Sequence, residues 1–470
     1  MIFNSFQFIW LFPIIFGVYM VILNYTGKHS IKIANYFLLL SSYALYAQHN
    51  PFALFVLLFV TFVTYFGARL IENFRQYKKA LIYGLVTLAL TPLFFYKYYD
   101  FFKQVVIDAM GGEFVGEQWI VPIGLSFFTF QALSYLYDVY YEKIKTEKNL
   151  WDYMLFVAFF PQILSGPINR ANELLPQIKN NRSFNYEKTA FGFKQMLYGM
   201  FLKVVLADRL GMYVDTVYGD WSLQTGVTCA VASVAYSLQI YADFAGYSLM
   251  AIGVGHILGF DFANNFNRPY FSVSVTDFWH RWHISLSSWL RDYVYIPLGG
   301  SRCSKKRNYV NIMITFLVSG IWHGANWTFI VWGLIHGLFQ VIEKILGLNK
   351  RESKNCVEKA IRILVTFFVV NLVWIFFRMP SLSESVDFIC YTAANLTGKL
   401  FLPDADKVLY LTIALFIFAI KEFLDEYKPQ RVSLWNSKHI MIRYITYVAM
   451  IFLIFMIGVL DSGNFIYLNF

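Results

Sequence analysis

Apolar runs about as long as a bilayer is thick recur along the whole chain, and they constrain its fold more than any other feature. A helix needs about 20 apolar residues to cross the hydrocarbon core of a membrane. The runs lie near residues 6–25, 34–48, 52–68, 81–97, 120–139, 152–165, 190–207, 228–258, 309–345, 360–377, 408–422 and 441–460. Membrane β-strands would instead give alternating segments of about 10 residues, which are not seen. The pattern predicts an all-α polytopic membrane protein with about eleven crossings plus re-entrant helices.

The composition supports a membrane protein and argues against a nucleic-acid-binding protein. Only 14% of the residues are charged, whereas soluble domains carry about 25%. The formal net charge is +10, but the basic residues cluster in short loops between the apolar runs. Loops of that kind face the cytoplasm and contact anionic lipid headgroups. We therefore expect membrane lipid as a partner and no nucleic acid.

The same basic loops predict the orientation of the last span. Basic residues mark the loops around residues 69–79 and 421–443, whereas the loop at 398–406 carries one lysine and two aspartates. The span at 441–460 should therefore run outward. We expect one transmembrane domain over residues 1–470, with residues 461–470 as an extracytoplasmic C-terminal tail in a bacterial plasma membrane.

Cysteine and histidine spacing gives no metal site. The four cysteines are widely separated and form no CxxC pair, which argues against a disulfide framework or a zinc site. His280 and His283 lie three residues apart, a spacing that suits two metal ligands on one helix face. No acidic or cysteine ligand follows at the usual spacing, so we expect no metal.

Residues 265–302 combine many charges with tryptophans and tyrosines. An unpaired charge at the bilayer centre costs about 2.5–3.5 kcal/mol on insertion scales. The segment is therefore expected either at the headgroup level or around a protein-lined cavity. The candidate lining residues are Trp279, His280, Arg281, Trp282, Arg291 and Asp292.

A second segment with polar residues, 319–337, contains His323 in an otherwise uncharged apolar run. Glycines on both sides, Gly320 and Gly324, allow another backbone or a ligand to approach closely. A neutral imidazole in a dry cavity can act as a general base, although a buried histidine often only forms hydrogen bonds. Trp322 and Asn326 are added to the candidate lining residues, and we interpret His336 as structural.

In a third such segment, Asp243 lies in an apolar run between Tyr241 and Tyr247. An aspartate there should be paired or should orient another polar group, and it is also included among the lining residues. Residues 159–168, FFPQILSGPI, interrupt another apolar run. Backbone that is not helical is tolerated at membrane depth only where protein or a cavity surrounds it.

Several motifs carry a family resemblance. They are PIGLSFFTFQALSYLYDVYY (122–141), FVAFFPQILSGPI (156–168), YADFAGYS (241–248), NFNRPYF (265–271), FWHRWHISLSSWLRDYVYIPLGG (278–300) and GIWHGANWTFIVWGLIHG (320–337). In this order they resemble the membrane-bound O-acyltransferase (MBOAT) family, in the branch of alginate and peptidoglycan O-acetyltransferase membrane subunits. The resemblance implies a ring of tilted helices around a central funnel.

The resemblance also implies residue roles. His323 stands where the family has its catalytic histidine, and His283 stands at the second functional histidine. The implied reaction moves an acetyl or other acyl group from a cytoplasmic thioester, acetyl-CoA or an acyl-carrier protein, and needs no bound cofactor. The acceptor would be a cell-envelope or secreted polysaccharide.

The final residues carry a further similarity. In related D-alanylating systems a small partner protein ends in F-x-Y-x-x-F, and the same pattern is formed here by Phe465, Tyr467 and Phe470. The resemblance implies that Tyr467 relays the acyl group to an extracytoplasmic SGNH-type acyltransferase or esterase-like partner. The alternative is an aromatic anchor at the membrane interface.

Two other functions remain open from the sequence. One is D-alanyl transfer to teichoic acid, and the other is a transporter or flippase without a covalent intermediate. Broken helices with polar groups near the midplane are typical of transporters, but no two halves with matching interruptions are found.

Overall fold

The structure is a computed structural model that describes residues 3–25, 30–48, 50–111, 119–428, 437, 439–460 and 466. Within these residues the chain forms α-helices joined by short 3-10 and π-helical segments, and it forms no β-strand. The predicted all-α fold class is confirmed. The tail residues Phe465, Tyr467 and Phe470 lie outside the described residues.

Twenty α-helices occur in the described part of the chain. They are α1 (Phe6–Tyr25), α2 (Ser30–Ala47), α3 (Pro51–Asn73), α4 (Lys78–Leu93), α5 (Tyr99–Ala109), α6 (Leu125–Tyr140), α7 (Leu150–Ala158), α8 (Phe160–Ile163), α9 (Ala171–Lys179), α10 (Tyr186–Met200), α11 (Asp208–Gly219), α12 (Gly226–Ile257), α13 (Val275–Arg281), α14 (Ile284–Leu290), α15 (Lys305–His323), α16 (Trp327–Ile345), α17 (Cys356–Arg378), α18 (Leu382–Ala394), α19 (Ala405–Tyr427) and α20 (Ile440–Ile457). Short π-helical segments occupy Phe94–Tyr98, Phe201–Ala207 and Arg291–Tyr295.

Seven helical stretches of the described residues are long and apolar enough to cross a membrane. They are Phe6–Asn24, Pro51–Asn73, Arg75–Ala109, Tyr186–Gly219, Trp327–Ile345, Cys356–Arg378 and Ile440–Ile457. These stretches fit a multi-pass membrane protein. The number of about eleven crossings stays a prediction.

The chain divides into two compact units, and the first contains Met1–Phe193 with Ala251–Ala263. Its helix α3 packs against α2, α4, α6 and α7. The interrupted run at 159–168 lies here, because α7 ends at Ala158 and only the four-residue α8 follows. Side chains of Gln131 and Gln162 donate to the carbonyl oxygen of Phe156 at 2.6 and 2.8 Å. These two side chains thus provide the hydrogen bonds that the Phe156 carbonyl group lacks because α7 ends there.

The second unit contains Lys194–Met250 with Asn264–Phe470. Trp282, Trp332 and Trp374 are its largest fully buried side chains. The Trp332 and Trp374 rings stack with centroids 5.8 Å apart, and Trp282 lies 5.0 Å from Trp374. Large aromatic surfaces contribute much of the packing energy in such a core.

One apolar run, which the sequence analysis treated as continuous, forms two helices. The run at 309–345 is divided into α15 and α16, because the first helix ends at His323 and the second begins at Trp327. The Asn326 side chain caps the second helix by accepting the N–H of Thr328 at 3.0 Å, a frequent start signal. The two helices therefore pack against each other as a hairpin, with His323 at the end of the first.

Glycines allow the two helices of this hairpin to approach closely. A Cβ atom at Gly320 would clash with the carbonyl oxygen of Phe329, and one at Gly333 would lie 3.2 Å from the Cα of Gly320. Small residues at helix interfaces permit such contacts in membrane proteins.

We predict that Gly320→Ala destabilises the protein, because the added methyl group forces the two helices apart at a cost of about 1–3 kcal/mol. The measurement is the thermal unfolding midpoint in detergent. Gly84→Ala is the matched control, since Gly84 lies in α4 and a Cβ there meets nothing within 4 Å. An equal midpoint for both variants would contradict the close packing.

Candidate active site

His323 lies at the C-terminal end of α15, inside a box of aromatic rings. Its ring centroid is 4.9 Å from Trp322, 4.8 Å from Trp332 and 5.2 Å from Phe377, each in an edge-to-face arrangement. The residue is 2% exposed. The helix end and the rings together place a polar side chain in apolar surroundings, where it is shielded from bulk water.

His283 lies between two short helices in a left-handed backbone conformation. Its φ and ψ are 42° and 54°, a conformation that is uncommon for a residue other than glycine and that recurs at functional sites. Two backbone hydrogen bonds hold this conformation, from Ile284 N–H to Asn265 O and from Asn267 N–H to Arg281 O, each 2.9 Å. The histidine side chain is fully buried.

The side chain of Asn265 determines which nitrogen of His283 carries the proton. Asn265 Oδ1 accepts from Ser285 Oγ at 2.6 Å and from Ser285 N at 3.2 Å, while its amide nitrogen donates to Ser248 Oγ at 3.1 Å. That oxygen faces His283 Nδ1 at 3.3 Å. An amide oxygen can only accept, so Nδ1 must be the donor. In the neutral ring, Nε2 then carries the lone pair and can accept a proton.

Trp322 brings the two histidines together. Its ring lies 4.9 Å from the His323 ring and 5.9 Å from the His283 ring. Residues forty positions apart in the sequence therefore share one aromatic neighbour. The structure thus places both predicted histidines in one buried cluster.

Asp243 and Phe244 are adjacent on α12 and contact different partners. The Phe244 ring lies 4.6 Å from the His283 ring. Asp243 is buried, and its Oδ1 lies 2.7 Å from Lys203 Nζ. Lys203 also pairs with Asp208 at 2.6 Å. The buried aspartate is paired, as the energetic penalty of burying a charge requires.

A cavity of about 290 Å³ lies in the same unit and contains three of the predicted lining residues, Trp279, His280 and Arg291. One wall is a stripe of α15 that ends at Ser319, one helical turn before His323 on the same face. His280 and Arg291 are exposed, so the cavity opens to the outside beside these two side chains.

The other predicted lining residues lie outside this cavity. Arg281 forms ion pairs with Asp277 and Glu426 at 3.1 and 3.0 Å. Trp282 is part of the core, and Asp292 pairs with Arg291 at 2.7 Å. Asn326 caps α16 and donates to the carbonyl oxygen of Pro380 at 2.9 Å. Their predicted lining role stays a prediction.

Asn265 and Lys203 are the residues that the sequence analysis missed. Asn265 belongs to the motif NFNRPYF, but an asparagine there has many potential partners. Lys203 stands in an apolar run, and a buried lysine of that kind needs an acidic partner. That signal predicts an ion pair without naming the acid.

The described residues form membrane-length apolar helices, which fit a multi-pass membrane protein, and two buried histidines share one tryptophan neighbour. The model of the MBOAT, membrane-bound O-acyltransferase, family matches residues 41–382. The chain belongs to this family and is a membrane-bound O-acyltransferase.

Relatives agree with this assignment. The chain is 38% identical over 392 residues to the probable alginate O-acetylase of Pseudomonas aeruginosa, which covers 81% of this chain and 73% of the relative. It is 35% identical over 416 residues to the peptidoglycan O-acetyltransferase of Helicobacter pylori, covering 82% and 78%. It is also 32% identical over 282 residues to the teichoic acid D-alanyltransferase of Streptococcus thermophilus, covering 54% and 68%.

We predict that Asn265→Ala lowers acyl transfer about 10–100-fold, the usual cost of losing a group that orients a functional histidine, because His283 loses the partner that selects its tautomer. The measurement is the acyltransferase activity of membranes that contain equal amounts of each variant. Asn371→Ala is the matched control, since buried Asn371 bonds Ser237 Oγ at 2.7 Å and Ser233 Oγ at 3.1 Å, and neither of these is a histidine. Equal losses in both variants would show a general packing defect.

Proposed function

We propose that this protein transfers an acetyl group from a cytoplasmic thioester to its own C-terminal tyrosine, from which an extracytoplasmic partner passes it to a polysaccharide. The observation that carries the proposal is the pairing of His283 and His323 around Trp322. Acetyl is preferred over D-alanyl because the alginate and peptidoglycan O-acetylating relatives match at higher identity and over more of this chain than the D-alanyltransferase.

The chemistry requires little beyond alignment and one proton acceptor. A thioester is already activated, so holding donor and acceptor in line provides much of the rate. His323 takes the proton from the attacking hydroxyl while the new C–O bond forms at the thioester carbonyl. The tetrahedral intermediate then breaks its C–S bond, and the imidazolium returns the proton to the leaving thiolate.

His283 supports this step as a hydrogen-bond acceptor. Its Nδ1–H faces Asn265, so the neutral ring offers only the Nε2 lone pair to the reaction. That lone pair can hold the hydroxyl proton or an N–H of His323 in position. Stabilising a carbonyl oxyanion would need a donor at Nε2, so the neutral ring favours the orienting role.

The cavity that opens beside His280 and Arg291 suits the donor. Its lining also includes Lys344, and the α15 stripe leads toward His323. Both acetyl-CoA and an acyl-carrier protein deliver the acyl group on a narrow arm that carries phosphate. Arginine and lysine are the usual partners of phosphate.

The contacts of Ile466 support the tyrosine relay. The backbone N–H of Ile466, the residue before Tyr467, donates to Asp243 Oδ2 at 2.8 Å. The next residue on α12, Phe244, contacts the His283 ring. A phenol has a pKa near 10, far below that of a sugar hydroxyl. The aryl ester is therefore the more reactive one, and passing the acyl group to a sugar is downhill.

The orientation and the partner complete the proposal. The positive-inside pattern directs the tail to the extracytoplasmic side of a bacterial plasma membrane. Because the tyrosine belongs to the same chain, its encounter with the acyl group is intramolecular and needs no second binding partner. The final acceptor step is assigned to a separate SGNH-type protein, and no bound cofactor is needed.

We predict that His323→Gln lowers acyl transfer at least about 100-fold, because glutamine fills similar space but cannot accept the proton. The readout is the base-labile acetate on the polysaccharide of cells expressing each variant. His336→Gln is the control, because His336 is also buried, its ring lies 5.0 Å from the Trp332 ring, and its Nδ1 accepts a hydrogen bond from Trp279 Nε1 at 3.3 Å. Equal activity in the two variants would remove His323 from the mechanism.

We predict that Tyr467→Phe abolishes polysaccharide acetylation while leaving membrane insertion and the unfolding midpoint unchanged, because only the hydroxyl group is removed. Phe465→Tyr serves as the control for an aromatic change in the same tail. Acetylation at the wild-type level in Tyr467→Phe would refute the relay and leave only the interfacial anchor.

A further inference from the structure

The chain that follows α20 is bonded to the π-helical segment Phe201–Ala207. The N–H of Val459 donates to the carbonyl oxygen of Val204 at 2.9 Å, and Arg209 Nε donates to the carbonyl oxygen of Ile457. A Cβ atom at Gly458 would lie 2.9 Å from a methyl carbon of Val204. The end of α20 is therefore packed against the protein, and Leu460 and Ile466 pack against the same core.

Lys203, on this π-helical segment, lies between two carboxylates. Its Nζ atom is 2.6 Å from Asp208 Oδ1 and 2.7 Å from Asp243 Oδ1. All three residues are buried, with Lys203 1% and Asp243 2% exposed. One ammonium group cannot neutralise two carboxylates, so the cluster keeps a net negative charge when all three are ionised. A buried carboxylate then needs further hydrogen-bond donors.

The backbone of the C-terminal segment supplies such a donor. Asp243 uses its two oxygens for different partners, Oδ1 for Lys203 and Oδ2 for the N–H of Ile466. Hydrogen bonds to an ionised acceptor are roughly twice as strong as neutral ones. Because the donor is a backbone N–H, the bond holds the position of the chain and does not depend on which side chain residue 466 carries.

We propose that Asp243, itself oriented by Lys203, is a positioning residue that anchors the C-terminal segment at Ile466 beside the α12 turn that contacts His283. The bond fixes the position of the backbone at residue 466 and makes no demand on its side chain. The anchor would help catalysis by presenting the next residue to the acyl group, and this part rests on the proposed relay through Tyr467. The anchor itself requires no acyl transfer and can be tested without it.

The test measures how fast a carboxypeptidase removes Phe470 and Asn469 from the full-length protein in detergent, followed by intact mass. Ile466→Pro lacks the N–H, and we expect trimming about ten-fold faster than in the wild type, as expected for losing a hydrogen bond to a charged group. Ile466→Val keeps the N–H and should be trimmed at the wild-type rate. Equal rates for Ile466→Pro and Ile466→Val would overturn the proposal.

Variants on α12 and α11 test the carboxylate side of the bond. Asp243→Asn has one oxygen, which should turn to Lys203 and leave an NH₂ group facing the Ile466 N–H, so trimming should accelerate as in Ile466→Pro. Asp208→Asn disturbs the same lysine without contacting Ile466 and should not accelerate trimming. Acceleration by Asp208→Asn equal to that by Asp243→Asn would contradict a specific anchor.

The double variant Asp243→Asn with Ile466→Pro should be trimmed no faster than either single variant, because both changes remove the same bond. A double-variant trimming rate raised by the product of the two single-variant factors would contradict the bond. If the Asp243 variant does not fold, comparing Ile466→Pro with Ile466→Val still tests the anchor, because neither change alters a buried charged residue. Acetylation measured on the same variants separates the two proposals. Faster trimming with unchanged acetylation would keep the anchor and remove its role in acyl transfer, whereas the relay itself is tested by Tyr467→Phe.

Discussion

The structure depends on one constraint, which is that a multi-pass helical protein must itself satisfy the polar atoms that it buries. The carbonyl oxygen of Phe156, left open where α7 ends, receives two glutamine side chains. The amide of Asn265 serves Ser248, Ser285 and His283 at once. The carboxylate of Asp243 divides its oxygens between Lys203 and the backbone of Ile466. In the last two cases, meeting this constraint also orients a group to which the proposed mechanism gives a role.

Interruptions of regular helix position the two histidines. His323 ends α15, and His283 has left-handed backbone between α13 and α14. Trp322 contacts both histidines, and the aromatic rings around His323 would shield the proposed thioester from water. Dry surroundings also strengthen each electrostatic interaction made there.

Much of the fold could be predicted from the sequence, because apolar periodicity and length determine helices directly. The run expected at 52–68 is α3, Pro51–Asn73, and the run at 360–377 is α17, Cys356–Arg378. The motifs also indicated both histidines. The division of 309–345 was missed because an apolar run continues across the turn at 324–326. The bonds of Asn265 to His283 and of Lys203 to Asp243 join residues distant in sequence, and one sequence does not specify such pairs.

The central claim is that His323 drives transfer of the acyl group onto Tyr467, and peptide mapping by mass spectrometry tests it most directly. The purified protein is incubated with an acyl thioester, digested and fragmented. The account predicts an acyl ester on Tyr467 in the wild type and none in His323→Gln. A wild-type protein that acetylates polysaccharide with its partner but never carries an ester at Tyr467 would contradict the account, as would equal labelling of Tyr467 in both proteins.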